Sequence, residues 1–135
     1  MNRTDFQALA RLRLREARAL RDRQLWSGCY YLSGHAVECA LKACIARSTR
    51  RHDFPDKERA QKVHTHNLIV LLGQAGLNDT LKQAARTRAA LEVDWALVAN
   101  RWDIDARYNS SVTASEALDL YRAARGVVTW LRQHW

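Results

Sequence analysis

Proline is nearly missing from this chain: Pro55 is the single instance in 135 residues. Proline inside a helix removes a backbone donor and clashes with the preceding turn, so its scarcity permits long unbroken helices on both sides of residue 55. Glycine is scarce too, with five residues, and none gather into a loop of the kind that cradles phosphates. A GxSxG nucleophile elbow and a CxxC pair are also absent, so enzyme classes built on those motifs lack support. No apolar run nears the roughly 20 residues that cross a bilayer, and membrane partners are not expected. The N-terminal MNRTDFQALARLRLRE interleaves Arg with Leu without a continuous apolar stretch, so it does not read as a signal peptide. Cysteines are few and odd in number: Cys29, Cys39 and Cys44, all within one helical pattern. Free thiols in a reducing cytoplasm are the simplest reading.

Apolar residues make up 47% of the chain and charged residues 27%, an ordinary balance for one globular domain over residues 1–135. The net charge is not ordinary. It is +8, and it is localised. Residues 1–24 hold seven Arg against Asp5, Glu16 and Asp22, a net of +4. Residues 49–65 add a net of +2, whereas residues 66–108 are neutral. Localised basicity favours a polyanionic partner such as nucleic acid; the competing reading is a solvated helix face.

Hydrophobic spacing predicts helices throughout. Thr4-Asp5-Phe6-Gln7 has capping-box spacing and is expected to start the first helix. Phe6, Ala10, Leu14, Ala17 and Leu20 then share one face, and Arg11, Arg15 and Arg18 line another as a basic stripe. A second helix over 25–46 is apolar on most sides and is expected to be central and buried. Gly28 and Gly34 within it suggest close approach of another backbone. Residues 47–65 are polar, contain Pro55 and read as a long loop. Thr65 is expected to cap a short helix over 66–74, with Leu68, Ile69, Leu71 and Leu72 buried and Gly76 ending it. Asp79 opens the next helix, and Asp94 caps a continuation carrying Trp95, Val98 and Trp102. A capping box at Thr113-Ala114-Ser115-Glu116 starts the last helix, which carries Leu118, Tyr121, Val127, Val128 and Leu131 and ends near Trp135. No strand pattern and no repeat is present. The predicted fold is all-α, an antiparallel up-and-down bundle of four to five helices.

The stretch Tyr30-Tyr31-Leu32-Ser33-Gly34-His35-Ala36-Val37-Glu38-Cys39-Ala40-Leu41-Lys42-Ala43 resembles the HEPN (higher eukaryotes and prokaryotes nucleotide-binding) family. Three further features agree in order: Arg18-Ala19-Leu20 before Gly28-Cys29-Tyr30-Tyr31; His66-Asn67-Leu68 with Leu71-Leu72; and Arg107-Tyr108 before the last helix. The resemblance spans roughly residues 8–132. It implies a helical bundle, frequently dimeric, often paired with a small nucleotidyltransferase as a toxin–antitoxin module. It also implies one of two functions. The first is an interaction module that binds nucleotide or RNA, or the nucleotidyltransferase-type antitoxin itself. The alternative is a metal-independent endoribonuclease toxin with an Arg-x4–6-His motif near the last helix. Arg101 stands in the relevant segment, but no His follows at that distance. Arg59 with His64 or His66 has the spacing, in a different part of the chain.

A ribonuclease of this kind needs an imidazole to move the 2′-hydroxyl proton and a guanidinium to stabilise charge on phosphorus. Arg101, Arg107 and His66 are the catalytic candidates; for His66 the competing role is a hydrogen bond at the start of the short helix. Arg11, Arg15, Arg18, Arg101, Arg107 and Tyr108 are the candidates for binding RNA or nucleotide. His35, Glu38 and Cys39, at i, i+3 and i+4, could face one ion. No distant Cys or His pair completes such a site, and an i, i+4 pair of Glu38 with Lys42 accounts for the carboxylate. No metal and no cofactor are expected. Trp95, Trp102, Trp130 and Trp135 suit either base stacking or core packing. With Tyr121 they exceed what a small interior readily holds, so exposed aromatic surface and a homodimer are expected.

Overall fold

The computed structural model describes residues 1–49 and 57–135. Among them the chain is all-α, with seven α-helices, one 3₁₀ turn and no strand. The helices are α1 (Arg3–Asp22), α2 (Trp26–Ser48), α3 (Lys57–Val63), α4 (Leu68–Gln74), α5 (Asn78–Thr87), α6 (Ala89–Arg101) and α7 (Ala114–Leu131), with the 3₁₀ turn Ile104–Tyr108 between the last two. The count exceeds the expected four to five because α3 and α4 are seven residues each and α5 is separate from α6. Within the span read as a loop, residues 57–63 are helical; Pro55 lies outside the described residues.

Three long helices make the frame. α1 turns back onto α2 through residues 23–25, where Gln24 takes a left-handed φ of 59°. That hairpin is the most extensive helix contact, followed by α2 on α7 and α6 on α7. α2 is the central element. Twelve of its residues are buried, including Val37, Glu38, Leu41 and Ile45. Such burial needs apolar residues all round, which its sequence supplies. Gly28 and Gly34 do admit close neighbours, but these are side chains rather than backbone. A Cβ at Gly28 would crowd Leu20, and one at Gly34 would clash with the Trp102 indole.

The helix ends differ from the expected caps in instructive ways. α1 begins two residues earlier, with Asn2 as N-cap in a reciprocal capping box with Asp5, and Thr4 lies inside the helix. At α4, Asn67 rather than Thr65 is the N-cap and accepts from the Val70 N–H; Thr65 Oγ1 accepts from the Asn67 N–H. Asp94 caps nothing, because α6 already runs from Ala89. Gly76 does end α4, in the left-handed conformation with φ 71°. The Thr113–Glu116 capping box stands as expected.

Burial corrects three further expectations. Trp102, Tyr121, Trp130 and Trp135 are all buried, and Trp95 is half-buried. The interior therefore holds the aromatic surface that was expected to stay partly exposed. Ile69 and Leu118, expected inside, are exposed. Among the described residues, no helix is long and apolar enough to cross a membrane.

Candidate nucleic-acid interface

α1 and α7 run antiparallel along one side of the molecule: Arg21, at the end of α1, meets Tyr121 two turns into α7, and Arg11 meets Trp135 beyond its end. Arg11 and Arg132 both stack on the Trp135 ring, with guanidinium carbons 4.9 and 5.9 Å from its centroid. Arg21 and Arg125 do the same at Tyr121, at 4.9 and 5.9 Å. Two aromatic rings, each under a pair of guanidinium groups, thus mark the seam. Stacking fixes the plane of a guanidinium and leaves its edge of N–H donors free. Arg3 adds a donor at the lower end, with Nη2 2.7 Å from the Trp135 main-chain oxygen.

The charge along this seam is poorly compensated. Arg11, Arg18, Arg125 and Arg132 make no ion pair among the described residues, while Arg21 is held by Asp22 through Nε and Nη2 at 3.0 and 2.9 Å. Arg18 is two turns beyond Arg11 on the same α1 face, between the two rings. Arg15 is exposed one row further round. Like charges held close without a counterion repel, so a polyanion laid along the seam relieves that repulsion.

The expected basic stripe on α1 is therefore exposed and is joined by Arg125 of α7 and Arg132 just past its end, which sequence reasoning missed. A signal was available: every charged residue of the last helix after Asp119 is Arg. The pairing across helices, however, depends on an antiparallel contact that no local pattern encodes.

The other candidates lie elsewhere. Arg101 ends α6 and lines a cavity of about 450 Å³ with Tyr30, Asn109, Glu116 and Asp119. The Tyr30 hydroxyl donates to the Arg101 carbonyl at 2.8 Å. The Glu116 carboxyl is pulled below its usual range by hydrogen bonds from Thr113, with the Arg101 charge a smaller contribution. The acids beside Arg101 make that cavity a poor seat for phosphate. Arg107 stacks on the ring of Tyr108, which is 74% exposed.

His66 anchors α4 to α2. Its Nδ1 is 2.9 Å from Glu38 Oε1, which also accepts from Lys42 Nζ at 2.8 Å. Glu38 is 2% exposed, and among the described residues its Oε2 has no partner, nor does His35 Nδ1. His66 also lines a cavity of about 430 Å³ with Asn67, Asn100, Trp102 and Asp103. Arg101 lines the different cavity described above, so these two cavities among the described residues keep His66 and Arg101 apart. Arg59 donates to Thr49 Oγ1 at 3.4 Å, and no contact ties it to His64 or His66. His35 and Cys39 lie 3.8 Å apart, Nε2 to Sγ. Glu38, however, turns to Lys42 and His66, and among the described residues no three potential ligands gather as a metal site. Burial lowers the His35 pKa below its ordinary 6.5 and pushes the Cys39 and Cys44 thiols up to about 12.

Comparison with protein-family models, with curated proteins and with solved structures returns no match to this chain.

Proposed function

We propose that this protein is a HEPN-like interaction module that binds RNA or nucleotide by its phosphates along the α1–α7 seam. The observation carrying this reading is the pair of uncompensated guanidinium groups, Arg11 and Arg132, stacked on one buried indole. Such a pair is preordered, so little side-chain entropy is lost when an anion arrives. The resemblance in α2 and at His66-Asn67-Leu68 supports the same reading, and extends it to a homodimer and to a nucleotidyltransferase-type antitoxin as partner.

Counterion release gives the test. For single strands, log affinity falls by roughly 0.7 per phosphate contact for each unit of log salt. Contacts from Arg11, Arg18, Arg125 and Arg132 predict a slope of about −2 to −3 for a fluorescent RNA octamer followed by anisotropy. Replacing Arg125 and Arg132 by Gln should flatten that slope by about 1.4 while the helical circular dichroism stays unchanged. A slope indifferent to these replacements would remove the seam from the binding surface.

A further inference from the structure

The two stacked pairs stand at a fixed distance, and that distance selects the ligand. Arg11 and Arg21 are ten residues apart on one uninterrupted helix, which sets the pairs about 15 Å apart at ~1.5 Å per residue. Stacked nucleic acid advances about 3.4 Å per phosphate along a strand. A single nucleotide therefore reaches one pair only, and a strand must carry about five phosphates to touch both. We infer that the ligand is a single-stranded oligonucleotide of at least about five residues rather than a mononucleotide. The inference rests on the phosphate-binding reading of the seam.

The aromatic rings add a second property. Tyr121 and Trp135 are 5% and 7% exposed, and each is covered by two guanidinium groups. They offer no open face for a base to stack on. Recognition runs through guanidinium edges and phosphates, which carry no sequence information. The strand is therefore selected by length and charge, with little regard to its bases.

Between the pairs, Arg18 is exposed and without an acidic partner among the described residues, so a strand crossing the gap meets a further cation before it reaches the Tyr121 pair. Once one pair is engaged, the second binding event is intramolecular. Linked sites of this kind commonly gain ~10²-fold or more in affinity over a single site. Asp22 holds Arg21, so the gain at the Tyr121 end depends mainly on Arg125, and about tenfold is the expected step.

The experiment is a length series of fluorescein-labelled oligoadenylates, which stack, from one to ten residues, at fixed low salt, with the intact protein. The inference predicts weak and nearly equal affinity for one and two residues, a rise of about tenfold between three and six, and little further gain. Oligocytidylates, which also stack, should show the same step. The variant carrying Arg21→Gln and Arg125→Gln should lose the step yet keep the affinity for short strands, because the Trp135 pair is untouched. Its helical content checks that it folds. Affinity that climbs smoothly with length, or a step unchanged in the variant, overturns the length rule while leaving phosphate binding at the seam standing. If AMP binds as tightly as the octamer, the ligand is a nucleotide and the rule is wrong. No binding by any strand overturns both the rule and the proposed function.

Discussion

Glu38 has the most demanding environment of any single residue. Its carboxyl group is buried on the central helix, where Lys42 and the His66 imidazole both hydrogen-bond to it. A hydrogen bond to a charged group contributes about 1.5–3 kcal/mol, less where one partner is half exposed as His66 is. His66→Ala should therefore destabilise the protein by about 1–2 kcal/mol in urea denaturation and loosen α4 first. No loss would mean that Lys42 alone satisfies the carboxylate. His35 makes a pH prediction. Its folded pKa is lowered by burial, which outweighs the raising effect of Glu38; Arg13, Lys42 and His66 add to the lowering. The unfolded chain then takes up a proton first as pH falls through the ordinary 6.5. Stability should drop on acidification from pH 7 towards 5.5, and His35→Phe should reduce that drop. The cysteines give a simpler check. With Cys39 and Cys44 thiols pushed up to about 12 by burial, alkylation at pH 8 should be slow until denaturant is added.

The helices themselves were largely legible, because α1 and α7 carry a 3.6-residue apolar period and α2 is apolar on most sides. The first face of α1, the all-round burial of α2 and the capping box of α7 all follow from spacing. Starts and stops were less legible, since Thr4, Thr65 and Asp94 carry side chains as able to cap as those that do. Asn2 and Asn67 win through their exact place in the chain's path, which propensity does not report. Ile69 and Leu118 were misplaced for a related reason: a helix of two turns, or the first turn of a longer one, buries only the residues that meet a neighbour. Gly34 is the element-level test. The Trp102 indole packs too close to leave room for a Cβ there, and Trp102 Nε1 donates to the Tyr31 carbonyl at 3.1 Å. Gly34→Ala must push that ring and its hydrogen bond aside. The expected loss is about 1–3 kcal/mol, the range for overpacking, despite the better helix propensity of alanine. A stabilised variant in thermal melts would show that Trp102 is not held there.

At the scale of the molecule, the sequence showed where positive charge concentrates but not how it is arranged. The stripe on α1 was readable as periodicity; its alignment with Arg125 and Arg132 follows from tertiary packing alone. The aromatic residues were misjudged because a central helix rich in Ala, Cys and Gly leaves room for large rings on its neighbours. The homodimer expectation loses that basis, and within the proposal it now leans on exposed Ile69 and Val70 of α4. Light scattering across a tenfold dilution should give a mass near twice 15.5 kDa, and a stable monomer would remove the homodimer from the proposal. The central claim is that phosphates are read along α1 and α7. It is tested most directly by following arginine side-chain Nε–Hε resonances while an octauridylate is added. The account predicts shifts at Arg11, Arg18, Arg125 and Arg132, with Arg101 and Arg107 unmoved. Shifts confined to Arg101 and Arg107, with the seam silent, would contradict it.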